Sequence, residues 1–160
     1  MNLPKLIATF FGSGLLKPAP GTWGSLATLP FAWGLIWAAD GDTMRTILFL
    51  GAAVVVSAAS GWWATAKYLE QTGAHDPGEV VIDEVAGQFL TFLVAAPFMP
   101  LYRLDVFVAA FVLFRVFDIT KIWPASWADG KLAGATGVML DDLFAGVYAG
   151  AVLVLVSQFM

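Results

Sequence analysis

The sequence predicts an all-α integral membrane protein: a compact bundle of about five transmembrane helices, with polar loops and a functional site at the cytoplasmic end. Three observations lead to this fold class. Of the 160 residues, 59% are hydrophobic and 12% are charged, and the mean hydropathy of +0.80 is too high for a soluble domain of this size. The apolar residues fall in separate stretches, and the acidic residues gather around one set of their ends.

Five apolar stretches are the candidate spans, with four as the smaller alternative: Leu26 to Ala39, Ile47 to Ala66, Val80 to Ala96, Val106 to Phe117 and Leu143 to Met160. The last is the clearest, because its length as a helix is about 27 Å, close to one hydrocarbon thickness. The first contains Pro30 and Gly34, and the fourth must extend into its flanking residues to cross. Since no repeat or linker interrupts the chain, we treat residues 1–160 as one domain.

The basic residues predict the orientation, because lysine and arginine concentrate on the cytoplasmic side of membrane proteins. With the N-terminus inside, six of the eight basic residues lie inside, and only Arg45 and Arg103 lie outside. Nine of the twelve acids fall on the same inner side: Glu70, Asp76, Glu79, Asp83, Glu84, Asp118, Asp129, Asp141 and Asp142. An end rich in both signs fits a polyanionic ligand held through a divalent cation.

The residue types limit the chemistry of such a site. The chain has no cysteine, so disulfides, thiolate metal sites and cysteine nucleophiles are excluded. Its one histidine, His75, cannot form a multi-histidine metal site. The candidate site residues are therefore carboxylates and cations.

A glycine-rich segment, GSGLLKPAPGTWGS from Gly12 to Ser25, precedes the first span. Glycines let backbone N–H groups approach an anion, and a helix that begins near Ser25 would direct its positive dipole end at that anion. Lys17 and Thr22 are then candidates for phosphate binding. The alternative is a surface loop in which Thr22 or Ser25 caps the helix. The segment does not match the Walker pattern.

The segment DPGEVVIDEVAG, from Asp76 to Gly87, runs without a break into the apolar residues Phe89 to Ala96. An acidic side chain at the centre of a bilayer costs roughly 2.5 to 3.5 kcal/mol, so Asp83 and Glu84 are expensive in a span. Ionisable residues at such positions usually have a function. The alternative is a carboxylate pair that caps the helix and pairs with neighbouring cations.

The spacing within this segment predicts a shared helical face. If the helix begins near Val80, Glu79, Asp83 and Gly87 follow one another at intervals of four residues and lie on one side of it. Glu79 is then a further candidate metal ligand, and whether Asp76 is one stays open.

A cationic segment, RVFDITKIWP, closes the fourth span. Arg115, Asp118 and Lys121 recur every three residues, within side-chain reach on a helix that we expect Pro124 to end. One interpretation assigns Asp118 to a metal and both cations to phosphate oxygens. The other is a snorkelling basic cluster that Asp118 stabilises.

The segment GATGVMLDD, from Gly134 to Asp142, immediately precedes the last span. Asp141 is the expected cap of that helix. Asp142 shares a face with Gly146 and Gly150, and faces of small residues pack against other helices, so Asp142 should face the bundle. The alternative is that both acids serve only the helix terminus.

Together these segments resemble the phosphatidylglycerophosphatase A family, small inner-membrane lipid phosphatases of bacteria. The resemblance rests on four blocks in order: PGTWGS at Pro20 to Ser25, IDEVAG at Ile82 to Gly87, RVFDITKIWP at Arg115 to Pro124 and GATGVMLDD at Gly134 to Asp142. It implies a Mg²⁺-dependent enzyme, multi-pass in the inner membrane with its site facing the cytoplasm. Such an enzyme converts phosphatidylglycerophosphate to phosphatidylglycerol and phosphate. We expect a phospholipid substrate and no nucleic acid, and the sequence does not identify protein partners.

With this resemblance, the candidate residues take specific roles. The metal ligands are Asp83, Glu84 and Asp142, with Glu79 and Asp141 as further candidates. The phosphate-binding residues are Lys17, Thr22, Arg115 and Lys121. The catalytic set comprises Asp83, Glu84, Asp118, Lys121 and Asp142. The DxDx[TV] pattern of aspartate phosphatases is absent, so we expect direct attack by water.

Two other functions are compatible with intramembrane carboxylates. A small cation or metal transporter would need polar residues along whole spans, whereas Phe89 to Ala96 and Ala151 to Val156 are apolar. A membrane adaptor without catalytic activity would need a basic partner for the acidic end.

Overall fold

The computed structural model describes residues 2–74 and 77–159, and His75 and Asp76 lie outside them. The described residues form seven α-helices: α1 (Leu3–Ala8), α2 (Pro20–Ala38), α3 (Thr43–Thr72), α4 (Ile82–Ala95), α5 (Leu104–Thr120), α6 (Ala125–Lys131) and α7 (Ala135–Val156). Two short 3-10 helices, Ser13–Leu15 and Ser157–Phe159, complete the secondary structure, and these residues contain no strand. The all-α prediction is confirmed, and each predicted apolar stretch lies largely within one of the five long helices.

Consecutive long helices run in opposite directions. The end of α2, the start of α3 and the connection between α4 and α5 line one cavity at one end of the bundle. At the other end, Gly21 of α2 lies beside Glu84 of α4 and Arg115 of α5, and a second cavity includes residues of α4 and α7. The polar segments therefore meet at one end, as the apolar pattern predicts.

Helix α4 is the central helix of the bundle. Most of its fourteen residues are buried, and it packs against α2, α3, α5 and α7. Its length is about 21 Å, shorter than the hydrocarbon thickness.

Two helical segments of the described chain are long and apolar enough to cross a membrane, Thr43–Thr72 and Ala135–Phe159. Their outward side chains agree with a lipid-facing surface. On α3, for example, Leu48, Val55 and Val56 are each more than 60% exposed, and large exposed apolar surfaces mark contact with lipid or protein.

Small residues bring α4 and α7 into backbone contact. A Cβ atom built at Gly146 would collide with the carbonyl oxygen of Gly87, and one built at Gly150 would lie 2.8 Å from the carbonyl oxygen of Thr91. The predicted packing of the Asp142, Gly146 and Gly150 face against another helix is confirmed.

Two predicted helix starts are wrong. Helix α2 begins at Pro20, because proline is favourable in the first turn, where its missing N–H needs no partner. Neither Thr22 nor Ser25 caps it, and Ser25 Oγ donates to the Gly21 carbonyl, 2.9 Å away. Helix α7 begins at Ala135, so Asp141 lies in its second turn and is not a cap.

The end of α5 also differs from the prediction. The helix ends at Thr120, and Lys121 follows it in the left-handed conformation, at φ 44°. Pro124 instead forms the N-cap position of α6. The turn at Lys121 ends the helix before the proline is reached.

Candidate active site

The first turn of α4 carries Asp83 and Glu84. The Asp83 side chain is buried, at 8% exposure, and that of Glu84 is 13% exposed. The N-cap residue, Val81, has no side chain that accepts from the first N–H groups. Carboxylates in the first turn interact favourably with the positive end of the helix dipole, which offsets part of the cost of their burial.

Asp142 reaches the same place from α7. Its side chain is 3% exposed, and the contact between Gly87 and Gly146 holds its helix against α4. One carboxylate oxygen from each of Asp83, Glu84 and Asp142 lies within 4.8 Å of the other two. The structure thus brings together the three acids that the sequence analysis places first among the metal ligands.

These three carboxylates fit a divalent cation. Within the described part of the chain, Asp83 Oδ1 and Glu84 Oε2 are buried and have no hydrogen-bond partner. Buried carboxylates without partners are costly, and a cation among them would remove that cost. An oxygen-only ligand set suits Mg²⁺, Ca²⁺ or Mn²⁺ better than softer metals.

Arg115 and Asp118 flank the carboxylates from the last turns of α5. Arg115 Nη1 lies 3.8 Å from Glu84 Oε1 and forms an ion pair with Asp118. The side chains of Arg115 and Asp118 are 16% and 13% exposed. The guanidinium of Arg115 therefore faces the bundle, which favours the interpretation as part of a site over a snorkelling surface cluster.

Lys121 lies between two acids. Its Nζ donates to Asp129 of α6 and to Asp141 Oδ2 of α7, 2.8 Å away. Partial burial lowers the pKa of Lys121, but the hydrogen bonds with Asp129 and Asp141 outweigh burial and raise this pKa above its ordinary value. The ammonium therefore stays protonated at neutral pH.

All of these charged groups except Arg115 line one cavity of about 160 Å³. It is lined by Gly78, Val80, Asp83, Glu84, Asp118, Lys121, Asp129, Val138, Asp141 and Asp142. Asp129 lines this cavity although no sequence motif marks it as a candidate site residue. It was counted among the acids of the inner end, but its seven-residue helix has no apolar pattern that would relate it to Lys121.

Two parts of the glycine-rich segment lie in different surroundings: the first turn of α2 contacts the site, and the connection before α2 is exposed. Gly21, in the first turn of α2, lies against Glu84 and Arg115, so that a Cβ atom there would collide with Glu84 Oε1. Thr22 follows it and is half-buried, whereas Lys17 is exposed in the connection before α2. Lys17 does not line the cavity.

Glu79 lies outside the predicted helical face. Because α4 begins at Ile82, Glu79 belongs to the preceding turn, and Tyr68 Oη of α3 donates to its carboxylate. Glu79 is not among the grouped carboxylates, and the open question about Asp76 falls on a residue outside the described ranges.

The comparison with known proteins identifies the family of the chain. A family model described as phosphatidylglycerophosphatase A matches residues 6–157. The chain belongs to this family. The match includes α2 to α7 and therefore all of the residues that line the cavity.

Three relatives cover most of the chain. Phosphatidylglycerophosphatase A of Escherichia coli K12 is 34% identical over 96% of this chain and 83% of its own length. The Haemophilus influenzae protein of the same name is 37% identical over 100% and 92%. A Bacteroides thetaiotaomicron protein, provisionally named phosphatidylinositol-3-phosphatase, is 39% identical over 92% and 89%. No solved structure matches the chain.

Proposed function

We propose that this protein removes the terminal phosphate of phosphatidylglycerophosphate in phospholipid biosynthesis, as a Mg²⁺-dependent phosphoric monoester hydrolase. Membership of the phosphatidylglycerophosphatase A family supports the reaction. The observation that carries the site assignment is the group of buried carboxylates of Asp83, Glu84 and Asp142 beside the cations Arg115 and Lys121.

In this proposal Asp83, Glu84 and Asp142 hold the metal, and Asp118 orients Arg115 or contributes to the metal site. Asp141 lies next to these three carboxylates but pairs with Lys121. In this proposal it therefore holds the lysine ammonium group and does not bind the metal. When bound, Mg²⁺ supplies Lewis-acid polarisation of the phosphoryl group and lowers the pKa of a bound water.

The cations of the chain act on the phosphate. Arg115 and Lys121 neutralise oxygens whose negative charge increases towards the transition state. The N–H groups of Gly21 and Thr22, at the positive end of α2, add uncharged donors beside them. Lys17 is exposed in the connection before α2. In this position it contacts the headgroup of the lipid as the lipid enters the site.

Hydrolysis of this phosphate monoester forms one bond to phosphorus and breaks another. The oxygen of water forms a bond to phosphorus, and the bond between phosphorus and the glycerol oxygen breaks. The leaving oxygen takes a proton and gives phosphatidylglycerol, while the other product is inorganic phosphate.

We also propose that all five long helices of this single domain cross the bacterial inner membrane, with the site on the cytoplasmic side. The apolar side chains exposed on α3 and α5 support a lipid-facing circumference. The excess of lysine and arginine at the site end supports the orientation. A lipid phosphate would then lie at the depth of the cavity.

The test is phosphate release by purified protein from phosphatidylglycerophosphate, phosphatidylinositol 3-phosphate and glycerol 3-phosphate. We expect release from the first substrate, its loss with EDTA and its recovery with Mg²⁺. The name of the Bacteroides relative makes the second lipid the competing substrate. Release from glycerol 3-phosphate at an equal rate would contradict lipid specificity.

A variant test addresses the metal site. Asp83→Asn should lower the affinity for Mg²⁺ and the rate by at least about 100-fold, because even a residue that only supports a metal ligand changes them by about 10- to 100-fold. Asp40→Asn, at the far end of the bundle, is the control and should match wild type. An unchanged rate in Asp83→Asn would disprove the site assignment. If the wild-type protein carries ions into proteoliposomes and Asp83→Asn abolishes this flux, the result would favour the transport function instead.

A further inference from the structure

We propose that Asp129 is a positioning residue for Lys121: it holds the ammonium group at the cavity, ready for the substrate phosphate. This inference rests on the proposed function, in which Lys121 contacts phosphate oxygens. Asp129 is not one of the three carboxylates grouped around the metal position, so its contribution can be separated from metal binding.

Lys121 has more N–H donors than its two acidic partners engage. Its ammonium group has three N–H donors, and the carboxylates of Asp129 and Asp141 engage two of them. All three side chains line the same cavity. Because two acids from different helices hold the group, the third donor remains for a ligand in that cavity.

Fixing the Lys121 side chain before the substrate arrives favours binding. A lysine side chain has a flexible four-carbon stem and a high rotamer entropy. Lys121 also has the left-handed backbone conformation, at φ 44°, which is unusual for a residue other than glycine. A lysine fixed before the substrate arrives loses less entropy on binding, and its charge needs little reorganisation during the reaction.

The two acids that contact Lys121 differ in their surroundings. The Asp141 side chain is 7% exposed and precedes Asp142 in α7. That of Asp129 is 42% exposed, at the rim of the cavity. Both acids contact Lys121, but of the two it is Asp129 that lies away from the grouped carboxylates.

The connection that carries Asp129 is anchored. Helix α6 packs on α7, and Tyr148 Oη of α7 donates to the carbonyl oxygen of Trp123, 3.0 Å away. Asp129 is therefore held by the bundle and can hold Lys121 in turn.

The experiment is a double-mutant cycle with purified full-length protein and phosphatidylglycerophosphate. Asp129→Asn keeps the size of the side chain and removes its charge. We expect kcat/KM to fall by about 100-fold, since a misplacement of about 1 Å has an effect of this size. In the Lys121→Gln background, the same substitution should change kcat/KM by less than about 2-fold, because residues that act through one another are not additive.

Two further measurements exclude a general structural effect. The concentration of Mg²⁺ that gives half-maximal activity and the melting temperature should stay at their wild-type values in Asp129→Asn, and Asp129→Glu should recover part of the rate. The matched control is Glu70→Gln, which removes the acid of another ion pair, 2.8 Å from Lys67 and exposed to solvent. This control should retain wild-type kcat/KM.

The outcomes separate the inference from the proposed function. Equal losses from Asp129→Asn in both backgrounds, or no loss in the wild-type background, would overturn the positioning role while hydrolysis by the wild-type protein stands. A raised Mg²⁺ requirement would overturn it in favour of metal binding. If the wild-type protein releases no phosphate from the lipid, the proposed function itself fails.

Discussion

At the scale of one residue, Gln88 is a polar side chain whose burial costs free energy of folding. It lies one turn beyond Glu84 in α4 with 0% exposure. Neither its amide nitrogen nor its amide oxygen has a hydrogen-bond partner within residues 2–74 and 77–159. A buried polar group without a partner costs about 1 to 3 kcal/mol, so this residue destabilises the bundle.

Gln88→Met should therefore raise the free energy of unfolding by about 1 kcal/mol, because it keeps an unbranched side chain and removes the unpaired amide. The measurement is thermal unfolding in detergent. Gln71→Met is the control, since Gln71 is exposed and accepts from Asn2 Nδ2 at 2.7 Å. A loss of stability in Gln88→Met would show that the amide is paired in the folded protein.

The candidate ligands illustrate what can be predicted residue by residue. The sequence identifies Asp83 and Glu84 because a charged side chain next to an apolar segment costs free energy wherever that segment is buried. Glu79 was assigned to the same face only through the expected helix start. Since the helix begins at Ile82, that periodicity does not apply to Glu79, which pairs with Tyr68 instead.

At the scale of the elements, the close approach of α2 to the site follows from one glycine. The first turn of α2 places Gly21 against Glu84, and a Cβ atom there would also lie 3.0 Å from Arg115 Nη1. No larger residue fits without moving a proposed metal ligand. The helix dipole and the carboxylate site are adjacent for this reason.

Gly21→Ala should lower kcat/KM by about 100-fold, because the added methyl group displaces the Glu84 carboxylate. Gly34→Ala, in the same helix, is the control, since a Cβ atom there has no neighbour within 4 Å. That substitution should keep the activity and stabilise the helix by about 0.5 to 1 kcal/mol. Phosphate release and thermal unfolding measure the two effects, and equal activities would contradict the contact.

Element boundaries were the weakest part of the prediction. The apolar stretches identify the five long helices, but α2 and α7 extend well beyond them at the site end. Those first turns contain glycine, threonine and proline, which have no apolar periodicity. Packing supports their helical conformation: a Cβ atom at Gly24 would lie 2.6 Å from that of Val81, which precedes α4, and one at Gly137 would collide with the carbonyl oxygen of Leu132, which follows α6.

At the scale of the whole molecule, the bundle has most of its charged residues at one end and an apolar circumference. The antiparallel order of the long helices collects the acids and cations around one cavity. The cavity at the opposite end has no charged lining residue. This asymmetry fits chemistry at one membrane surface better than conduction across the bilayer.

The orientation can be tested with single cysteines, because the chain contains none of its own. Thr43→Cys marks the start of α3, and Ser126→Cys marks α6 beside the site. With the site in the cytoplasm, a membrane-impermeant thiol reagent should label Thr43→Cys in spheroplasts and Ser126→Cys only after lysis. The reverse pattern would contradict the proposed topology.

The sequence by itself determined the helical content, predicted the membrane class and identified the three carboxylates of Asp83, Glu84 and Asp142 as candidate ligands. These depend on composition, local periodicity and the cost of a buried charge, which can be evaluated within one segment. The tertiary structure decided that Asp129 pairs with Lys121, that Gly21 lies against Glu84 and that Glu79 pairs elsewhere. Such contacts join different elements, and their geometry depends on how the helices pack.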